Sequence, residues 1–312
     1  MRCCVIGGAG FIGRYLTKEL RATGRDVVVL GRRPIPSPAM LQGVDYVSCD
    51  YGNRESLKGV LQDCQEVIDL AYATVPQTSF VAPLFDLQAN LPPCIGLMEV
   101  LRELDGLRRA MIVSSGGTVY GPADRLPITE EMTTSPVSPY GITKLTIERY
   151  ALMFHRLHGV PVNIVRPANA YGVGQKPFSG QGFIATAMGH IARGEDVLVF
   201  GENGTIRDYV HVSDVARGIV AALERGADGD TYNIGSGVGR SNRQVLDAIE
   251  PFSTAAGLRI GIRNEPERKF DVAANVLNFG RLLACSGWLP QVTFERGIEE
   301  LWAEIYSAKK HG

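Results

Sequence analysis

Apolar residues in this chain fall in short unbroken runs, set between stretches where they return every third or fourth position. That alternation marks buried strands followed by half-buried helices. Cys3–Ile6, Asp26–Leu30, Val44–Ser48, Glu66–Ala71, Ala110–Ser114 and Val162–Arg166 read as strands. Phe11–Ala22, segments around Arg54–Gln62 and Asn90–Leu104, and Tyr140–His158 read as the helices between them. In the last helix Ile147, Ala151 and Phe154 share a face, and Gly159 followed by Pro161 ends it. Strand and helix in turn, with short connections, predict an α/β protein whose parallel sheet is covered on both faces. Past Arg166 the pattern loosens, with Gly, Asn and short helices mixed through Lys176–Gly204 and again beyond Gly235. The expected organisation is a first domain over 1–165 and a smaller, mixed lobe over 166–312, some of whose segments return to the first domain. Pro34–Pro38 reads as a loop, and Glu295–Tyr306 as an amphipathic helix followed by Lys309-Lys310.

Composition narrows the function classes. The chain has 312 residues, 45% hydrophobic and 21% charged, enough for a sizeable core in about two domains. Lys and Arg number 32 against 33 Asp and Glu, for a net charge of −1 without a block of one sign. This excludes a protein that works by coating nucleic acid or an anionic membrane, while leaving room for a local basic pocket. No apolar run approaches the roughly 20 residues that span a bilayer. Met1–Ile6 runs straight into Gly7-Gly8, without the apolar core of a signal peptide. Cys3, Cys4, Cys49, Cys64, Cys94 and Cys285 form no C-x-x-C pair, and a reducing cytoplasm is the expected setting. The five histidines share no ligand spacing, so no metal is expected.

Chemistry enters at two places. Gly7, Gly10 and Gly13 form G-x-x-G-x-x-G between the first strand and the first helix, with Phe11 and Ile12 inside the turn. Gly7 permits a tight turn, Gly10 admits a pyrophosphate, and Gly13 lets helix pack on strand, while the helix N-terminus offers free N–H groups. The first domain is therefore expected to be a doubly wound Rossmann sheet that binds NAD(P). The second strand ends at Gly31-Arg32-Arg33, where an acidic residue would bind the ribose hydroxyls of NAD. Two guanidinium groups without that carboxylate favour NADP. Asp50, after the third strand, is placed beside the adenine end.

The second place is Tyr140-Gly141-Ile142-Thr143-Lys144, which stacks a phenol and an ammonium one helical turn apart. A phenol ionises near pH 10, and a neighbouring positive charge stabilises its anion. About 25 residues upstream, counted in the sequence, the fifth strand ends at Ser114-Ser115.

With these motifs the chain resembles the extended short-chain dehydrogenase/reductases, in particular nucleotide-sugar epimerases of the UDP-glucose 4-epimerase type. The resemblance runs nearly end to end. It is carried by the Gly7–Gly13 turn, Asn90, Ser114 through Gly121, Ser138 through Lys144, Arg166 through Gly172, Arg207 through Asp214, Tyr232 through Gly235, Arg268 with Asp271, and Gly287-Trp288. It implies Tyr140 as acid/base with Lys144 as its partner, and Asn169, Arg207 and Arg268 on a nucleotide diphosphate. It further implies a nucleotide-sugar substrate and a homodimer formed through helices that include Tyr140–His158.

Two departures qualify the resemblance. Gly116 stands where such enzymes carry a catalytic Ser or Thr, so that hydroxyl comes from Ser115 or Thr118 or is missing. Gly31 suits a phosphate-friendly pocket, whereas these epimerases usually retain NAD. The expected activity is 4-epimerisation of a UDP-hexose or UDP-N-acetylhexosamine through a 4-keto intermediate. The alternatives are an NADPH-dependent reduction of a nucleotide 4-keto sugar and a non-catalytic NADP sensor. A 4,6-dehydratase is disfavoured, because Gly117-Thr118 replaces the Asp-Glu such enzymes carry. Asn275, four residues past Asp271, is placed beside the group on sugar carbon 2, where a small residue would admit an acetamido substituent.

Overall fold

A computed structural model describes residues 1–34, 43–268 and 271–311. Most of the Pro34–Pro38 loop lies outside the described residues, as do the side chains of Lys309-Lys310. The strands are β1 (Arg2–Ile6), β2 (Asp26–Gly31), β3 (Asp45–Ser48), β4 (Glu66–Asp69), β5 (Arg109–Val113), β6 (Val162–Pro167), β7 (Asn169–Tyr171), β8 (Val197–Phe200), β9 (Ile206–His211), β10 (Thr231–Ile234), β11 (Gly239–Ser241), β12 (Ile262–Glu265) and β13 (Ala274–Asn275). The helices are α1 (Phe11–Ala22), α2 (Arg54–Leu61), α3 (Pro76–Val81), α4 (Pro83–Leu101), α5 (Gly116–Val119), α6 (Pro139–His158), α7 (Phe183–Arg193), α8 (Val212–Arg225), α9 (Asn242–Ala255), α10 (Gly280–Ser286) and α11 (Phe294–His311).

Seven strands form one parallel sheet in the order β10-β6-β5-β4-β1-β2-β3. Strand order reverses between β1 and β4, which opens a crevice at their carboxyl ends. Because side chains alternate along a strand, β1 feeds both faces. Cys3 and Val5 join Leu16 and Leu20 of α1 and Val215 and Ile219 of α8, while Cys4 and Ile6 join Leu97 and Met98 of α4 and Ile147 and Ala151 of α6. Both β10 and α8 come from the second half of the chain, so the sheet is completed by residues well beyond Arg166.

The remaining strands make the smaller lobe. β9 is flanked by antiparallel β11 and parallel β13, and also pairs with β7. β8 and β12 form a parallel pair. Helices α7, α9 and α11 cover these strands through Ile184, Met188, Val245, Ile249, Ile298 and Leu301.

Two predicted boundaries move. α4 begins at Pro83 rather than Asn90 and passes through Pro92 and Pro93. Each proline removes a backbone donor, but buried Cys94, Leu97, Met98 and Leu101 hold the helix on the sheet. β4 stops at Asp69, whose carboxylate accepts the Ala71 N–H at 2.9 Å and turns the chain out of the ladder.

Candidate functional site

A cleft of about 550 Å³ lies at the carboxyl edge of the sheet, between it and the smaller lobe. Its sheet side is made by Gly7, Gly10, Phe11, Ile12 and Gly13. Gly7 has φ +77°. A Cβ on Gly13 would stand 2.3 Å from the Gly8 carbonyl oxygen, and one on Gly10 would stand 3.2 Å from that of Gly7. These are backbone contacts that cannot yield cheaply, so the turn admits only glycine at its tightest point. The N-cap of α1 is Gly10, which supplies no side-chain cap. The first-turn N–H groups are therefore left for an anion. The cradle fits a dinucleotide pyrophosphate.

Beyond β2, Arg32 and Arg33 are exposed, and a Cβ on Gly31 would meet the Tyr46 hydroxyl at 2.6 Å. Tyr46 thus occupies the space of the missing carboxylate, and its hydroxyl donates to the Arg33 carbonyl at 2.7 Å. Asp50 is exposed and accepts the Gly52 N–H at 3.0 Å. None of these residues lines the cleft itself.

Tyr140 and Lys144 both reach the cleft from the first turns of α6. Ser138 caps that helix by accepting the Gly141 N–H at 3.1 Å, and Pro139 occupies its first position. Lys144 Nζ donates to the Val113 carbonyl at 2.9 Å and lies 5.9 Å from the centre of the Tyr140 ring. Burial pulls the Lys144 ammonium down to about 8, against the opposing pull of Asp69, Cys94, Glu148 and Asp86. Burial also pushes the Tyr140 phenol up, and Asp86 adds to that shift. The protein alone therefore keeps Tyr140 protonated.

The loop after β5 explains the missing hydroxyl. A Cβ on Gly116 would meet Leu277 Cδ1 at 2.4 Å and the Arg166 carbonyl oxygen at 2.9 Å. Position 116 therefore faces packed interior, and no serine or threonine fits there without displacement. Ser115 and Thr118 both line the cleft. The Thr118 hydroxyl oxygen is shielded from solvent and has no hydrogen-bond partner among the described residues.

The far end of the cleft contains Asn169 of β7, Arg207 and Tyr209 of β9, and Asp271. Arg268 is paired with Asp271 at 2.8 Å and stacks over the Phe200 ring at 4.1 Å, behind the lining residues. Burial lowers the Arg207 guanidinium pKa, and Arg268 adds to that while Tyr209 and Asp271 oppose it. The end is thus electropositive and partly desolvated, which suits an anion.

One expectation needs correction. Asn275 is 1% exposed and donates to the Gly116 carbonyl at 3.1 Å, outside the residues lining the cleft. Its amide nitrogen is bonded to the first residue of α5, and at this burial the side chain presents no surface to a sugar.

Sequence reading missed three other contributors. Tyr72, Thr74 and the loop to Pro76 line the cleft beside Tyr140. Asp86 is fully buried beneath them and accepts from the Tyr72 hydroxyl, 3.3 Å from each oxygen, and from Thr74. Asp86 and Asn90, four apart on a largely apolar helix, were the available signal. Behind α6, Glu148 receives Arg166 in a bidentate pair at 3.0 and 2.6 Å and also accepts from Ser114. No group of His, Cys, Asp and Glu among the described residues has the makings of a metal site. Likewise, no helix among them is long and apolar enough to cross a membrane.

A glycine cradle, an adjacent Tyr–Lys pair and a basic guanidinium share one cleft on a Rossmann sheet. The sequence profile of the NAD dependent epimerase/dehydratase family matches residues 3–235, and the chain belongs to that family. It is 34% identical over 310 residues to a UDP-glucose 4-epimerase of Mycolicibacterium smegmatis, covering 96% of each chain. Its fold matches the UDP-glucose 4-epimerase of Thermotoga maritima, solved with UDP-glucose, at a TM-score of 0.91 and 29% identity over the whole of both chains. The Thermus thermophilus UDP-glucose 4-epimerase, solved with NAD, matches at a TM-score of 0.89 and 30% identity, over 99% of this chain and 100% of that one.

Proposed function

We propose that the protein is a nucleotide-sugar 4-epimerase acting on a UDP-hexose through a 4-keto intermediate. The observation that carries this reading is that Tyr140 and Lys144 line the same cleft as the glycine cradle, Asn169 and Arg207. A dinucleotide and a nucleotide sugar would meet end to end at the Tyr140–Lys144 pair.

Gly7, Gly10, Phe11, Ile12 and Gly13 hold the cofactor, with Lys144 reaching its ribose. When bound and oxidised, the nicotinamide supplies a hydride acceptor and a positive charge. Tyr140 takes the proton of the sugar 4-hydroxyl and returns it after the hexose has turned over. Because the phenol is held protonated by burial, it becomes a base only as positive charge gathers beside it, and Lys144 provides the permanent part. Ser115 and Thr118 both line the cleft and are the hydroxyls available to hold the sugar oxygen; the Thr118 oxygen, shielded and without a partner among the described residues, gains that bond when binding opens the approach to it. Arg207 and Asn169 grip the diphosphate, backed by Arg268, so that the sugar rotates while its handle stays fixed.

A second reading is favoured by one feature. Exposed Arg32 and Arg33 after Gly31 support acceptance of a 2′-phosphate, hence NADP and a reductase that runs only the return half of the chemistry. Incubating the protein with UDP-galactose and following UDP-glucose separates the two readings, together with mass identification of the dinucleotide released on denaturation. Interconversion with bound NAD supports the epimerase. No interconversion, with an NADPH-dependent reduction of a 4-keto sugar, replaces it. A preference for UDP-N-acetylhexosamine would assign a different sugar without changing the step.

The same reading includes a homodimer. Leu84 and Phe85 of α4, with Ile142 and Leu157 of α6, remain exposed at 66%, 57%, 52% and 65% on neighbouring helices. Sedimentation of wild type against Leu84→Asp tests it, since a monomeric wild type removes the dimer. A reducing cytoplasm is supported by six free thiols, five of them buried.

A further inference from the structure

Tyr72 belongs to none of the motifs that carry the proposed chemistry, yet it is the closest aromatic contact of Lys144. The Lys144 ammonium lies 4.3 Å from the centre of the Tyr72 ring, nearer than to the Tyr140 ring. The two tyrosine rings are 4.7 Å apart and cross at 61°. Lys144 makes no ion pair among the described residues, and its hydrogen bond goes to the neutral Val113 carbonyl. A cation so placed needs a compensating partner, and the face of an aromatic ring is one.

Tyr72 is itself held from below. Its hydroxyl donates to Asp86, and Thr74 donates to the same carboxylate. Asn90 ties this segment to α4 by accepting the Ala73 N–H at 2.7 Å and donating to the Asp86 carbonyl at 2.7 Å.

We propose that Tyr72 is a positioning residue for Lys144, its ring anchored by Asp86 so that the ammonium stays charged beside Tyr140. The proposal rests on the reading of Tyr140 and Lys144 as the acid/base pair. Other groups facing the ammonium are Asp69 at the end of β4, Asp86 and Cys94 on α4, and Glu148 on α6. Burial already brings Lys144 down to about 8, so small losses of stabilisation fall within the working pH range. Above its pKa the ammonium is lost and turnover falls with it.

Tyr72→Leu removes the ring and keeps the site apolar. The alkaline limb of kcat is expected to move about one pH unit lower, the size of a desolvated cation–π contact. Tyr72→Phe keeps the ring but loses its bond to Asp86, and is expected to recover most of the shift without reaching the wild-type position. NMR titration of full-length protein carrying 13Cε-labelled lysine reads the Lys144 midpoint directly, with no substrate present. If Tyr72→Leu does not fold, as read by circular dichroism, Tyr72→Met serves the same comparison. A Lys144 midpoint equal to wild type in the ringless variant overturns the proposal. Undiminished turnover in Tyr140→Phe would instead overturn the acid/base reading and leave the NMR midpoint to be judged separately.

Discussion

The two walls of the cleft are built from different material. On the sheet side the surface is backbone: a glycine turn, a helix N-terminus and free N–H groups within seven consecutive residues, Gly7 to Gly13. On the opposite side the surface is side chain, with Tyr72, Tyr140 and Lys144 brought together from the β4 loop and α6 and supported by Asp86 on α4. In the proposed reading the first wall binds through a local conformation, and the second does its chemistry through long-range contacts. A change in either should therefore show a different signature, with cofactor affinity moved in one and turnover moved in the other.

The largest separation is expected at Tyr140. Tyr140→Phe removes the hydroxyl proposed to handle the proton while leaving the packed ring. Turnover should fall by about 10²–10⁴-fold, with cofactor still retained on denaturation and mass analysis. Loss of cofactor instead would merge the two walls into one functional unit.

Behind the side-chain wall stands the Glu148–Arg166 pair, with side chains 1% and 6% exposed. It ties α6 to β6 directly and to the end of β5 through Ser114. Glu148→Ala strands a buried guanidinium whose remaining acceptor is the Tyr120 hydroxyl at 2.9 Å. Breaking a buried pair in this way costs about 3–5 kcal/mol, measurable by urea unfolding. A loss below about 1 kcal/mol would rank the pair with surface ion pairs and remove it as the brace of this wall.

The backbone wall is probed by Gly13→Ala. The added methyl meets the Gly8 carbonyl at 2.3 Å, so α1 must move away from β1. Overpacking of this kind costs about 1–3 kcal/mol, and dinucleotide binding should weaken more than stability does. Isothermal titration with NAD reads the difference. Unchanged affinity would mean that the turn has slack the contacts do not show.

How much of each wall was legible follows from its construction. The glycine turn could be read because seven neighbouring residues contain its whole geometry. The strands before it and after it could be read because a doubly covered sheet demands unbroken apolar runs. Tyr140 and Lys144 were legible because one helical turn joins them. Tyr72 and Asp86 were not, since 14 residues separate them and Asp86 lies ahead of Asn90, where the predicted helix began. Glu148 and Arg166 lie on different elements, and no local period links a helix position to a strand position. Asn275 failed for a related reason: its offset from Asp271 was right for a family position, but its amide turned to the Gly116 carbonyl.

The smallest expected effect concerns the hydroxyl that the sequence left undecided. Gly116 backs onto Leu277 and the Arg166 carbonyl, so restoring a serine there adds strain without placing an oxygen in the cleft. Ser115 and Thr118 remain, and they differ in what surrounds them. The Thr118 oxygen is shielded and unpartnered among the described residues, a costly state unless something else supplies its hydrogen bond. A sugar oxygen held by Tyr140 would do so once binding opens the approach to it. Thr118→Val keeps the shape and deletes that bond, and kcat should fall about tenfold, the worth of one hydrogen bond in the site. Ser115→Ala should cost less, because Ser115 is not shielded in the same way and makes no comparable demand. If Ser115→Ala proves the more damaging of the two, the hydroxyl belongs to the strand end rather than to α5, and the side-chain wall extends one residue further toward the glycine turn than its geometry implies.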